Sequence, residues 1–328
     1  MGSMGQERLI PLVDYSIWKG IDNLTTDDMR LKPGFVRVAN NIDFDDEDMP
    51  HRRVGISRLA TSGSWHSIWS DGDQLCFGVL NGNLVKVNTN YTTTTLLVLV
   101  GLSKMNFVKI DERVFFSNNV NTGYIKDSTY YAFPEADRTM RQKMVGGSLI
   151  EYYNGRLYAV QGNNIYFSVA YSPMEMEEKR NFITLDGPIT MMHSVEDGIY
   201  ISAGNTVAFH HGSDLFEMKY KELLSVPATK GSPIIVERLK HQTGSLKGEA
   251  RGKCVIFSTS IGIFMGEKGG TLKDLTGDYY GISNVEDGSA IIRWDDNYRQ
   301  YVFMAQAPAE LSGMDGASSL PLLTGTGN

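Results

Sequence analysis

Cysteine is nearly absent from this chain of 328 residues: there are two, Cys76 and Cys254. Each is flanked by apolar residues in a stretch that reads as strand. Both are expected to be buried free thiols, and no disulfide framework is needed for the fold. Long apolar runs are missing too. Nothing approaches the roughly 18 residues of a membrane helix, and Leu96–Leu102 is far too short. Met1–Gly5 has no basic and apolar signal layout, so no membrane insertion by this chain is expected. Basic residues are in the minority, 31 against 38 acidic, for a net charge of −7. That argues against a broad basic surface for duplex DNA. An acidic surface would instead let DNA slide past, because phosphate binding needs Lys and Arg to release counterions. No Gly-x-Ser-x-Gly, Walker loop or dinucleotide fingerprint occurs. Gly266–Gly270 is glycine-rich but follows a strand with no helix after it, and reads as a turn. Helix signal is scarce. Ser172 as N-cap and Pro173 at the first position make Pro173–Arg180 the best candidate, and Glu135–Lys143 could add another turn.

What is present is a repeat. A polar turn, a β-rich run, a Gly or Asn, and a second β-rich run return at steps of about 40, 43, 43, 55 and 43 residues, the range of propeller blades. Asp71-Gly72 leads to Leu75–Val79, Asn81-Gly82 and Leu84–Val87. Asp111-Glu112 leads to Val114–Ser117 and Thr122–Ile125. Asn154-Gly155 leads to Leu157–Val160, Gly162-Asn163 and Ile165–Ser168. Asp197-Gly198 leads to Ile199–Ser202, Gly204-Asn205 and Val207–Phe209. A looser copy starts at Arg251, and the last is Asp295–Asn297 leading to Gln300–Met304. The runs are rich in Val, Ile, Tyr, Phe and Thr, and Asn-Gly and Asp-Gly suit tight hairpins that need positive φ. One such unit cannot cover both of its faces, whereas stacked units can. The expected fold is therefore all-β, a β-propeller of six blades, with seven as the alternative if residues 35–60 form their own blade. Residues 1–34 read as an irregular N-terminal arm, 35–304 as the propeller and 305–328 as an extended tail. The strands of residues 35–60 are expected to complete the last blade. The longest step is explained by an exposed basic loop, Thr243–Gly252.

Candidate chemistry is sparse. Val195–Gly198 recurs as Val285–Gly288, and paired acids could serve a glycosidase, but that reaction needs two carboxylates about 5–9 Å apart across one sugar. Adjacent acids in a turn point apart. Asp43–Asp48 could offer oxygens to a cation, yet lacks the Gly and distal Glu of an EF-hand loop, so a solvated turn is the simpler reading. His210 and His211 are neighbours in a strand and should face opposite sides. Trp18, Trp65, Trp69 and Trp294 could stack sugars, with at least one of Trp65 and Trp69 in the core. Lys240, Lys247, Arg251 and Lys253 gather in one region able to meet phosphate or an acidic partner. Trp18, Arg52 and Arg53 complete the set of possible interaction residues. No catalytic residue, metal or cofactor is expected.

Two segments resemble propeller proteins of tailed-phage tails. The first is Trp18-Lys19-Gly20-Ile21 with Asn23-Leu24, then Leu31–Asp43, then Arg52-Arg53-Val54-Gly55. The second is Val255–Ile263, Gly266, Gly269-Gly270, Leu275-Thr276 and Tyr298–Val302. The resemblance covers about a third of the chain. It departs at Asp22, where Asn is common, and at Met49-Pro50, where a Gly usually stands. It implies a hub or nozzle of a short-tailed phage, of the kind that stabilises packaged DNA. Such a protein would be a non-enzymatic virion component made in the host cytoplasm. It would form a homo-oligomeric ring, a hexamer, below the head-tail adaptor and beside other tail proteins. The ring would retain the viral DNA and later let it pass. Two rival readings remain: a receptor- or carbohydrate-binding propeller at the tail tip, and a propeller glycosidase.

Overall fold

Alternation along single strands determines how this chain is layered. In Arg113–Ser117, Val114 and Phe116 enter one apolar cluster while Phe115 enters the next. Arg156–Gln161 sends Leu157 and Ala159 one way and Tyr158 and Val160 the other. Gly198–Ala203 divides Ile199 and Ile201 from Tyr200, and Lys253–Thr259 divides Cys254 and Ile256 from Val255 and Phe257. A period of two with apolar residues at every position makes a sheet buried on both faces, which is why these runs read as continuously hydrophobic.

The computed structural model describes residues 19–326 apart from 28–29, 41, 45–49, 54–61, 99, 137–139, 178, 214, 238–239, 244–245, 250–251, 278–279, 283–284, 296–297 and 307–322. Six antiparallel sheets follow one another. The first is Trp65–Ser70, Cys76–Leu80, Asn83–Val87 and Thr93–Leu97. The second is Asn106–Ile110, Arg113–Ser117, Thr122–Lys126 and Thr129–Ala132. The third is Leu149–Tyr153, Arg156–Gln161, Asn164–Phe167 and Phe182–Thr184. The fourth is Ile189–Val195, Gly198–Ala203, Thr206–His211 and Lys219–Leu224. The fifth is Ile234–Glu237, Lys253–Thr259, Gly262–Glu267 and Thr271–Asp274. The sixth has three strands, Asp287–Asp295, Tyr298–Gln306 and Leu323–Thr326. Within each sheet, strands pair in chain order, as propeller blades do. Five apolar clusters join first to second, second to third, and so on to sixth. Each fully buried Phe in them, such as Phe115, Phe116 or Phe257, contributes roughly 2–3 kcal/mol of transfer free energy.

The turns explain the repeat. Asn81 and Gly82 have φ of 50° and 76°, and Asn154 and Gly155 have 44° and 79°, the positive values that two-residue hairpins with right-handed twist demand. Of the first-to-second-strand turns, Asp71–Leu75, Asp111-Glu112 and Glu196-Asp197 carry acids, and Asn154-Gly155 does not. Second-to-third turns (Asn81-Gly82, Gly162-Asn163, Gly204-Asn205, Ser260-Ile261) carry no charge.

Five expectations change. The strands of residues 35–60 do not pair with the last sheet among the described residues. Phe35–Val36 runs parallel to Gly20–Ile21, and Ile42–Phe44 pairs with Pro50–Arg52. The strand beside Tyr298–Gln306 is instead Leu323–Thr326, from the stretch read as a tail. Gln300 to Phe303 are all buried, and the backbone of such a strand needs a partner on each edge. Pro173–Arg180 is not helical: Glu175–Met176 pairs with Gln142–Lys143, the end of the other helix candidate, and the Ser172 amide donates to Val169 O. Thr243–Gly252 is not a loop. Lys240–Thr243 and Leu246–Glu249 form a hairpin inserted between the first two strands of the fifth sheet. Cys254 is buried, as expected, with its thiol on Val236 O, but Cys76 is only half-buried.

Candidate interaction site

The acidic turns act first as fasteners between sheets. The Asp197 carboxylate, at the first turn of the fourth sheet, accepts the Gly269 amide on both oxygens, at 3.1 and 2.9 Å, from the last turn of the fifth. Glu196 Oε1 accepts the Lys253 amide at 2.6 Å. From the third sheet, Tyr153 Oη donates to Gly212 O at 2.7 Å and Asn154 Nδ2 to Ser213 O at 2.8 Å. Asp71 does the same between the first two sheets. Burial works against its charge, but the Lys109 ammonium and the Leu75 and Asp73 amides outweigh it and bring its carboxyl down to about 2.

Between the third, fourth and fifth sheets these groups border an open cleft of ≈ 530 Å³, lined among others by Tyr153, Asn154, Glu196, Asp197, His211 and Lys253. His211 Nδ1 stands 3.5 Å from Asp197. The cleft combines carboxylate, imidazole, amide, phenol and ammonium on a rigid frame. Next to Asn154, Tyr171 is 84% exposed; Phe216, three residues after Ser213, is 58% exposed. The Tyr171 amide donates to Gly155 O, next to Asn154, and Phe216 packs edge-on against Phe167.

The recurring Val-Glu-Asp-Gly does not converge on one site. Asp197 lies in a first turn, whereas Asp287 opens the first strand of the sixth sheet at the opposite end and meets Lys104 Nζ at 2.5 Å. The same tetrapeptide therefore serves a turn in one sheet and the start of a strand in another. His210 and His211 do face opposite sides, one buried and one exposed. Sequence reasoning missed Glu151, which is buried in the first strand of the third sheet. It accepts Ser194 Oγ at 2.9 Å and lies 3.1 Å from His193 Nδ1. Its only sequence signal is an acid inside Leu149–Tyr153.

The expected interaction residues separate. Trp18 and Arg251 lie outside the described residues. Arg52 is exposed at the end of Pro50–Arg52, while Arg53 turns back to donate to Ile42 O at 3.4 Å. Lys240 and Lys247 stand on opposite strands of the inserted hairpin, across from Glu249 and Gln242. Lys253 borders the cleft. Trp65 and Trp69 are half-buried, and Trp69 stacks on Phe77 at 6.2 Å. Among the described residues, no group of three or more His, Cys, Asp or Glu could hold a metal ion. Also among them, no helix is long and apolar enough to cross a membrane.

Residues near the start of the chain meet the fifth sheet's end in space. Asn23 and Gly281 exchange reciprocal hydrogen bonds, Nδ2 to O at 2.9 Å and N to Oδ1 at 3.0 Å, and the Ile282 amide donates to Ser260 O. No protein-family model and no curated protein matches the chain. Solved structures do. One is the extracellular domain of a hybrid two-component system from B. thetaiotaomicron, with 14% identity over 81% of this chain and TM-score 0.47. PorZ, a surface component of the type-IX secretion system of Porphyromonas gingivalis, has 13% identity over 81% and TM-score 0.46. A gluconolactonase from Xanthomonas campestris has 10% identity over 75% and TM-score 0.43. The chain spans 32% and 33% of the first two and 85% of the third. None of the three reaches a TM-score of 0.5, and the fold stands on strand pairing and sheet packing alone.

Proposed function

We propose that this chain is a non-enzymatic tail hub or nozzle subunit of a short-tailed phage, a six-bladed propeller that works as a homo-oligomeric ring, a hexamer, around the DNA exit channel. It sits below the head-tail adaptor, retains the packaged genome and later lets it pass. The observation that carries the reading is the junction of Asn23 with Gly281. It ties Asn23, in the first stretch that resembles tail proteins, to Gly281, which lies between the matching parts of the second, although 258 residues separate them. A ring of six blades is supported by six consecutive sheets and by Lys104, which lies between the first and second sheets and reaches Asp287 and Gly288 O in the sixth. Five buried clusters in series make a stiff block suited to internal pressure. Rings of such blocks use heterologous contacts. Acidic first turns disfavour adhesion of a passing duplex.

Cryo-electron microscopy of virions is the test. A ring of this chain on the tail axis is expected, and virions lacking one there overturn the reading. One observation favours a second reading, a carbohydrate-binding tip: Tyr171, exposed and hydrogen-bonded to Gly155 O beside Asn154, stands next to a cleft rich in hydrogen-bonding groups. A glycan array probed with the intact protein decides it. Retention that disappears in Tyr171→Ala supports the tip, and an array without hits removes it.

A further inference from the structure

We propose that Asn154-Gly155 is a self-modifying site: Asn154 loses its side-chain amide to water, and the carboxylate that replaces it loosens the third sheet from the fourth. The inference holds for a ring subunit and for a tip alike.

The chain has two Asn-Gly pairs, Asn81-Gly82 and Asn154-Gly155. In the second, φ is 44° and then 79°, which favours Asn, Asp or Gly at the first position and Gly at the next. Gly155 is constrained again by its surroundings, because a Cβ there would lie 2.9 Å from the Tyr171 ring. The fold therefore enforces a dipeptide in which no side chain shields the second backbone nitrogen. Asn154 is exposed, and among the described residues the Gly155 N–H has no hydrogen-bond partner. Nucleophile and amide are adjacent, and the nucleophile is not tied into a ladder.

Water is the one co-reactant. The Gly155 nitrogen bonds to Asn154 Cγ, the Cγ–Nδ2 bond breaks, and the Gly155 amide proton leaves with Nδ2 as ammonia. Water then opens the cyclic imide. Cleavage of the new bond to Cγ leaves aspartate. Cleavage between the Asn154 carbonyl carbon and Gly155 N leaves isoaspartate, with an extra carbon in the main chain.

The product does not suit its place. Asn154 Nδ2 donates to Ser213 O at 2.8 Å, and Ser213 lies between the third and fourth strands of the fourth sheet. A carbonyl accepts and cannot donate, and so does a carboxylate, so after the reaction two acceptors face each other. Glu196 and Asp197 border the same cleft and add repulsion between like charges. Isoaspartate brings a second fault, since a two-residue hairpin between Tyr153 and Arg156 has no room for another backbone atom. The first turns of the first, second and fourth sheets carry acids, whereas the third carries an amide where the Ser213 carbonyl needs a donor. Asn81 is built in the opposite sense. Its Oδ1 accepts the Ser64 amide at 2.9 Å, and a carboxylate accepts that amide equally well. The two pairs share a chemistry and differ in its consequence.

Mass spectrometry of peptides from folded protein aged in mildly alkaline buffer tests the step. Aspartate and isoaspartate at position 154, with release of ammonia, are expected. A folded chain that keeps its amide there while the urea-unfolded chain converts overturns the proposal. Hydrogen exchange tests the consequence. In the deamidated fraction and in Asn154→Asp, exchange is expected to rise several-fold in peptides covering 149–156 and 206–213 and to stay unchanged in the first sheet. Asn81→Asp is expected to leave both regions as in the parent. Asn154→Asp with parental exchange at the junction, or no looser than Asn154→Gly, overturns the role given to the carboxylate. Should Asn154→Asp fail to fold, the aged parent protein supplies the same reading.

Discussion

His210 lies on the face of Thr206–His211 opposite Val207 and Phe209, edge-on to Tyr220 at 5.4 Å. Burial pushes its imidazole down from the ordinary 6.5 to about 4. The unfolded chain therefore takes up this proton first. Stability is unaffected above about pH 6.5 and is lost as the pH falls through that value toward 4. His210→Gln is expected to flatten this loss in urea midpoints measured between pH 7 and pH 4, and an unchanged slope would assign it to another group. The opposite facing of His210 and His211 was legible because strand alternation is local. Glu151 was not, because Ser194 and His193, the groups that hold it, arrive 42 or more residues later. Asn81-Gly82 and Asn154-Gly155 were legible because positive φ restricts the residue choice at those positions.

Elements were readable where their own backbone demanded a residue type and unreadable where a neighbour decided. Ser172-Pro173 followed by acids satisfies every local rule for a helix start. The chain there is instead pulled into pairing with Gln142–Lys143, an override of propensity by tertiary contact. The outer strand Lys219–Leu224 carries alternating charge and exposed residues and gives little apolar signal. The inserted hairpin is the reverse case. Its basic residues suggested an open loop, yet Lys240–Thr243 and Leu246–Glu249 pair in full register. Glu237 and Lys253 face each other across the fifth sheet, a gap that two residues can close. Replacing residues 238–252 by Asn-Gly is therefore expected to leave the thermal and urea midpoints within about 1 kcal/mol of the parent. A molten or aggregated product in circular dichroism would show that the hairpin is part of the core. Arg52 and Arg53 gave the sequence a basic pair that the fold divides, one exposed and one turned inward.

For the whole molecule, the stacking of repeated sheets was legible from period alone, whereas the strand that ends the series was not. Leu323–Thr326 is short, lies after a stretch without pattern, and is recognisable only from the edge it covers. Lys104 ties the start of the series to its end through Asp287 and Gly288 O. The pair is partly solvated, so Lys104→Met is expected to cost under about 1 kcal/mol globally. It should loosen the sixth sheet selectively. Hydrogen exchange is expected to rise several-fold in peptides covering 285–295 and stay unchanged in the third sheet. Uniform acceleration would mean that the contact supports the whole chain. The five clusters bear on biosynthesis as well. Every sheet after the first finds its greasy counterpart in the one translated just before it, so a nascent chain can settle layer upon layer, leaving one adhesive surface at a time for chaperones to shield.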